Sequence, residues 1–190
     1  MSLANDAPTA PPSPARRRMT VAGFLALPDD GVDRMLLDGE VWDIGPQIKD
    51  RAHGETAANL CALLGGRAFG RLHAGNVGFR LDGASLVGVD LAVVTPEHVA
   101  RTPPGEEFFA GPPALAVEIL GRFDSPEATA AKIRKFRDAG AVVWEVDPAS
   151  EIARVHRPGS PVVSYGATEE IVADPYLPGF RAAVAEFFAD

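Results

Sequence analysis

The sequence predicts an α/β or α+β domain, a mixed β-sheet with helices packed on it, and three observations lead there. Short strand-like apolar runs alternate with segments whose apolar residues recur at helical spacing. Two of those runs, 86–94 and 114–120, are almost continuously apolar, as strands covered on both faces are. Turn residues punctuate the segments, yet 19 Gly and 17 Pro in 190 residues stay below the level that signals disorder. A chain of this length fits one domain with a sizeable core.

Taken in order, residues 1–18 hold Pro8, Pro11, Pro12 and Pro14 among Ala, Ser and Thr. They offer too few large apolar groups to offset ordering entropy, so 1–18 is expected to be a disordered arm and 19–190 the folded domain. Arg16-Arg17-Arg18 before the apolar stretch 19–27 mimics an export signal, but Pro28-Asp29-Asp30-Gly31 stands where a small-residue cleavage site is needed. Thr20 caps a short helix with an apolar stripe of Phe24, Leu25 and Leu27, which the Pro28–Gly31 turn ends. Strands at 35–37 and 41–44 flank Asp38-Gly39, a dipeptide that tolerates positive φ and favours a tight hairpin. Ala57, Leu60, Cys61 and Leu64 mark a helix from 52 to 65, with Gly65-Gly66 as its stop.

Strands at 77–81 and 86–94 are expected to join across Asp82-Gly83. A loop containing Pro103, Pro104, Pro112 and Pro113 leads to the strand at 114–120. Ser125-Pro126-Glu127 then opens a helix with a capping residue, Pro at the first position and an acid in the first turn, and Gly140 ends it. A strand at 141–146, a turn at Asp147-Pro148 and strands at 152–155 and 162–165 complete a meander.

Charge and cysteine content exclude several functions. Lys plus Arg total 18 against 26 Asp plus Glu, a net charge of -8, which argues against a protein that lives on non-specific nucleic-acid contacts. An anionic substrate must therefore be met by local positive charge or by a metal. The single cysteine, Cys61, forms neither an internal disulfide nor a thiolate zinc cage, and a reducing, cytoplasmic setting fits it. No apolar stretch approaches the ~20 residues of a membrane helix, so no membrane association is expected.

Three residues break the patterns around them. Asp90 lies among Val87, Val89, Leu91, Val93 and Val94, where an ionised carboxylate is costly unless compensated. Glu118 is set equally awkwardly among Leu115, Ala116, Val117, Ile119 and Leu120. If the two strands pair at ~4.8 Å, both carboxylates can converge on one hard cation such as Mg²⁺; strand-end acids facing solvent or paired to Arg are the alternative. On the helix after Ser125, Thr129, Ile133, Phe136 and Gly140 define the buried stripe, and Lys132 sits only ~40° from Phe136. It leans toward the sheet, or snorkels at the stripe's edge. Lys135 and Arg137 fall outside the apolar centre and are expected to be solvated.

The order of motifs carries a resemblance. Met19-Thr-Val-x-x-Phe-Leu-Ala-Leu-Pro-Asp-Asp-Gly31, Leu37-Asp-Gly-Glu40, His53 before an amphipathic helix, Val89-Asp-Leu-x-Val-Val94, Gly111-Pro-Pro-x-Leu-x-Val-Glu-Ile-Leu120, Lys132-x-x-x-Phe-x-x-Ala-Gly140, Trp144-x-Val-Asp-Pro148 and Leu177-Pro-Gly-Phe180 follow one another. As a set they resemble the restriction endonuclease family known as domain of unknown function 820, assigned to the PD-(D/E)XK nuclease superfamily. The resemblance implies a restriction-endonuclease-like core and Mg²⁺-dependent hydrolysis of DNA phosphodiester bonds, with Mn²⁺ as a possible substitute. It makes Asp90 the motif aspartate, Glu118 the motif glutamate and Lys132 a lysine moved from strand to helix. The backbone carbonyl of Ile119 adds a metal ligand, and His53 matches a family position where it would assist as acid, base or supporting donor. Cutting both strands would suit a homodimer.

The sequence also departs from the family. Val89 replaces the usual Pro before the aspartate, Met35 the usual Glu ahead of Leu-x-Asp-Gly, and Gly121-Arg122 the usual Ser-Pro. Two hypotheses follow. In one, the chain is a metal-dependent endonuclease, and Arg67, Arg71, Arg80, Arg122, Arg134, Lys135 and Arg137 must cluster near the cleft. In the other, it is a catalytically degenerate nuclease-fold protein that binds nucleic acid or assembles with itself.

Overall fold

The computed structural model describes residues 16–45, 48–66 and 70–189. Its elements run α1 (Val21–Leu25), β1 (Arg34–Leu37), β2 (Glu40–Asp43), α2 (Arg51–Leu64), β3 (Arg71–Asp82), β4 (Ser85–Val94), α3 (Pro96–Arg101), β5 (Phe109–Ala110) and β6 (Leu115–Ile119). They continue with α4 (Pro126–Asp138), β7 (Val142–Asp147), β8 (Ile152–His156), β9 (Val163–Gly166), β10 (Glu170–Val172), β11 (Arg181–Ala183) and a 3₁₀ turn, Val184–Phe187. The main sheet runs β2-β1-β4-β6-β7-β8-β9, with β3 lying against β4 and β5 against β3. Pairing is antiparallel except for β6 with β7 and β3 with β5, so the sheet is mixed.

Each face of the sheet has its own cover. On one side α4 sets Ala128, Ile133 and Phe136 against Phe79, Val87, Val89 and Ala116. On the other, Leu60 and Leu64 of α2 join Leu91, Val117, Trp144, Phe180 and Phe187. Trp144 is fully buried there, stacked on Phe187 and donating its Nε1–H to the Tyr176 hydroxyl at 2.9 Å. The small β10–β11 ribbon and the 3₁₀ turn thus do the work of a helix on that face.

Local chemistry explains most elements. Asp38 and Gly39 both take positive φ, and Leu37 pairs with Glu40, the two-residue hairpin that this dipeptide favours. Thr20, Asp50 and Ser125 each accept a backbone N–H from the first turn of the helix they precede. The β3–β4 turn differs by one residue from expectation: Asp82 pairs with Ser85, so Gly83 and Ala84 make the turn and Asp82 Oδ1 accepts the Ala84 N–H at 2.8 Å.

Other elements escape the sequence patterns. α3 opens with Thr95-Pro96-Glu97, the same cap, Pro and acid that open α4, but its six residues are too short to show a helical period. β3 starts at Arg71 rather than 77 because Gly75-Asn76 interrupts its alternation, and β10 and β11 are three-residue strands. Residues 1–15 of the expected arm lie outside the described residues. Arg17, Arg18 and Met19 pair with the outer edge of β2: Val41 donates to the Arg17 carbonyl, Met19 N donates to Gly39 O, and Arg18 bridges to Glu40. The side chain of Lys135, expected in solvent, is only 18% exposed and bridges Asp38 and Asp82 across the two hairpin turns.

Phe136 couples α4 to the sheet, 1% exposed and edge-on to Phe79 with ring centroids 5.8 Å apart. Phe136→Ala should cost about 3–5 kcal/mol in chemical denaturation, because the fixed helix cannot collapse into the void.

Candidate active site

The site forms where two central strands part. β4 and β6 pair from Val93↔Leu115 to Leu91↔Val117, and the next residues along are Asp90 and Glu118. Past that point the Ile119 N–H is donated to Asp90 Oδ2 at 2.8 Å, so a side chain takes over where the ladder stops. Opposite Asp90 on its other flank, β3 carries an extra residue, since the register shifts between Ala74↔Leu91 and Val77↔Val89. Gly75 and Asn76 both have positive φ there, the mark of a bulge that bends a strand and redirects its side chains. Asn76 lies over Gly88, where a Cβ would come within 2.0 Å of its Oδ1.

Two helices complete the group. Lys132 of α4 donates to Glu118 Oε1 at 2.6 Å, with the two side chains 11% and 4% exposed. His53, in the first turn of α2, places Nε2 3.4 Å from Asp90 Oδ2. Glu118 Oε2 is buried with no hydrogen-bond partner among the described residues. Glu118 lines a cavity of about 30 Å³ together with Asp90, Lys132, Asn76, Lys49 and Asp124, room on the order of one water molecule. Lys49 and Asp124 pair at 2.5 Å across its rim, and Asp124 Oδ2 also accepts the Gly121 N–H at 2.7 Å.

Electrostatics follow from burial and neighbours. Burial pushes the Asp90 carboxyl up, but the His53 ring, the Ile119 N–H and the Lys132 charge outweigh it and hold it below its ordinary range. Glu118 goes the other way. Its burial is deeper, the Lys132 charge offsets only part of it, and the negative Asp90 and Asp124 add to it, so its carboxyl is pushed up to about 7. Burial pulls the Lys132 ammonium down, yet Glu118, Asp90 and Asp124 together raise it above its ordinary value. Glu145, opposite Glu118 on the parallel β7, is bound by His156 at 2.9 Å and Arg154 at 2.8 Å.

A family model described as "Uma2: Putative restriction endonuclease" matches residues 21–185. This chain belongs to the Uma2 family. Among solved structures, one of a "putative nuclease belonging to DUF820" from Anabaena variabilis superposes with a TM-score of 0.72 at 15% identity, covering 90% of this chain and 97% of that one. It shows a shared fold. No curated protein matched the chain.

The Uma2 fold thus brings Asp90, Glu118, Lys132 and His53 into one place. Ile119 contributes its N–H to Asp90. Among the described residues, the cations that line the cavity are Lys49 and Lys132, and none of the arginines expected to cluster there is one of them. Local carboxylates take several of the others: Arg80 pairs with Glu106, Lys135 with Asp38 and Asp82, and Arg137 with Asp138. Arg71 and Arg134 are exposed, Arg122 lies over the Phe123 ring, and Arg67 is outside the described residues. Met35, in the position of the family's glutamate, is 2% exposed in the core beside α4. Sequence reasoning missed Lys49, Asp124 and Asn76. Of these only Asn76 carried a signal, the Gly-Asn dipeptide that marks a bulge or turn.

These charges make stability a direct readout of the site. Lys132→Met leaves Glu118 buried without its cation; the loss should be about 1–3 kcal/mol, less than for a fully unpaired charge because Glu118 can take up a proton. Adding Glu118→Gln should restore most of it, and urea denaturation of the two single variants and the double would read the coupling directly. Glu145 is held below its ordinary 4.5 by the His156 and Arg154 contacts, which outweigh burial. Its stabilising share is therefore present above the unfolded value and lost as pH falls through the folded one. Denaturation midpoints of Glu145→Gln should accordingly change less than those of wild type as pH is lowered below 4.5.

Proposed function

We propose that this Uma2 chain is a metal-dependent endonuclease that hydrolyses DNA phosphodiester bonds at the Asp90–Glu118–Lys132 site. The family supports a nuclease and hence a nucleic-acid substrate. The observation that carries the finer reading is Glu118 Oε2, a buried carboxylate oxygen without a partner, beside a second carboxylate and a cavity of ion size. Buried polar atoms are nearly always satisfied, so an orphaned one calls for a further partner such as a water or an ion.

The donor set suits Mg²⁺ or Mn²⁺. Among the described residues, no group of three or more His, Cys, Asp or Glu side chains is arranged to hold a metal ion. Mg²⁺, however, is commonly held by one or two carboxylates and keeps waters and substrate phosphate oxygens for the rest. Asp90 and Glu118 would hold it, with the Ile119 carbonyl as a further oxygen. When bound, the ion polarises the phosphoryl oxygen and lowers the pKa of the attacking water.

The chain's own groups do the remaining work. Lys132, fixed by Glu118 Oε1, orients the attacking water and offsets negative charge developing on the phosphoryl oxygens. His53 keeps Asp90 ionised and aimed. Lys49, at the cavity rim, can exchange Asp124 for a substrate phosphate. Cutting both strands of a duplex would take two copies of the site, and a homodimer would supply them.

The second reading, a catalytically degenerate module that binds nucleic acid or itself, draws on Met35 in the core and on the missing basic cluster. Plasmid and single-stranded DNA incubated with Mg²⁺ or Mn²⁺ separate the two. The wild type should cut, Lys132→Met should lose roughly 10²- to 10³-fold in turnover with metal still bound, and Asp90→Asn should lose both cleavage and calorimetric Mg²⁺ binding. The amide introduced by Asp90→Asn keeps an oxygen for the Ile119 N–H, so the fold should survive. A wild type silent on every substrate would favour the degenerate module, and equal cleavage by Asp90→Asn would move the chemistry elsewhere.

A further inference from the structure

A second, larger cavity of about 490 Å³ lies beside the candidate site. Its size falls within the range of small-molecule pockets. The two cavities share the same segments: Asp43, Ser125 and Glu127 line the larger one, while Ile44, Gly45, Asp124 and Ala128 line the smaller. The two linings therefore adjoin along residues 43–45 and 124–128. The larger lining holds one aromatic ring, Trp42, with three arginines and three carboxylates. The Arg16 guanidinium lies 3.3 Å from the centre of the Trp42 ring and is anchored by Glu127 at 2.8 Å. Arg34 holds Asp30 through two nitrogens at 2.7 and 2.8 Å and Asp43 at 3.2 Å.

The three lining carboxylates are thus already bound to arginines. Arg17 is exposed and has no ion pair among the described residues, and its backbone is fixed by the pairing with Val41. A planar stack and an uncommitted guanidinium are what an unpaired nucleotide needs: a surface for the base and a cation for the phosphate. A duplex keeps its bases paired and stacked on each other, and offers no free face to Trp42.

We propose that this cavity is a nucleotide subsite for single-stranded nucleic acid, in which an unpaired base lies against the Trp42–Arg16 stack and its phosphate meets Arg17. The inference rests on the nuclease reading only for the nature of the ligand. The subsite gives this acidic chain a local grip on a polyanion through Arg17, the member of the arginine run that has no ion pair among the described residues. Threading a strand through it would lead the neighbouring phosphodiester toward Asp90 and Glu118.

Intrinsic fluorescence tests the subsite without any cleavage. The chain has two tryptophans, and Trp144 is fully buried, so quenching by an added strand reports Trp42. Titrating the full chain with a short single-stranded oligothymidylate, without divalent ions, should give saturable quenching. By anisotropy of the labelled strand, Arg17→Ala and Trp42→Ala should each bind roughly 10-fold more weakly, while Trp42→Phe, which keeps a stacking face, should stay within about 3-fold of wild type. If Trp42→Ala fails to fold, Arg17→Ala decides, since that side chain is exposed and unpaired. Absence of quenching, or wild-type affinity in Arg17→Ala, would overturn the subsite. So would equal losses on a duplex of the same length, which would mean backbone attraction alone. A Mg²⁺-dependent cleavage assay keeps the two readings apart: cleavage of single strands untouched by Arg17→Ala sinks the subsite and leaves the nuclease, whereas Trp42-dependent binding without cleavage does the reverse.

Discussion

The geometry of the site hangs on two carboxylates buried where β4 and β6 separate. An ionised acid in such a place is expensive, and the surrounding structure is arranged around that cost. Asp90 takes the Ile119 N–H and stands beside His53, while Glu118 takes the Lys132 ammonium. These contacts tie β4, β6, α2 and α4 to one point. One oxygen, Glu118 Oε2, is left without a partner among the described residues, which marks where compensation from the chain itself stops.

The two acids respond to nearly the same surroundings in opposite ways. Asp90 has a backbone donor and a ring beside it and is held ionised, whereas Glu118 is more deeply buried and lies near two other carboxylates. Two lysines, Lys132 and Lys49, face three acids, Asp90, Glu118 and Asp124, so negative charge is in excess when all are ionised. Lys49 relieves part of it by drawing Asp124 toward the rim. The bulge at Gly75-Asn76 lies across from Asp90, and Gly88, without a side chain, leaves the space that the Asn76 amide fills.

Long-range charge tells a complementary story. The chain is acidic overall, and several of its basic residues are spent on local ion pairs at hairpin turns and helix ends. In the Arg16–Arg18 run laid along the edge of β2, Arg16 and Arg18 are paired to Glu127 and Glu40, and Arg17 has no ion pair among the described residues. An edge strand has unpaired backbone groups to offer, and this run fills them. The Arg16 side chain is thereby placed against Trp42 and Glu127.

Most of the architecture was legible in the amino-acid order. Apolar runs, the Asp38-Gly39 hairpin, the capped start of α4 and its buried stripe follow from local physics that needs no partner, and they marked Asp90, Glu118 and Lys132 as misfits. What failed locally did so for identifiable reasons: α3, β10 and β11 are too short to carry a period, and the bulge hid the first half of β3. Only tertiary structure decided which misfits meet. Lys132 and Lys135 sit three residues apart on one helix with the same chemistry, yet one enters the acidic site and the other bridges two turns, because the sheet beneath α4 presents different carboxylates to each. Lys49, Asp124 and Trp42 gained their places in the same way, from segments distant in sequence that converge at one end of the sheet. Periodicity reports the face on which a side chain lies; the charge it meets there is set by strands far away in the chain.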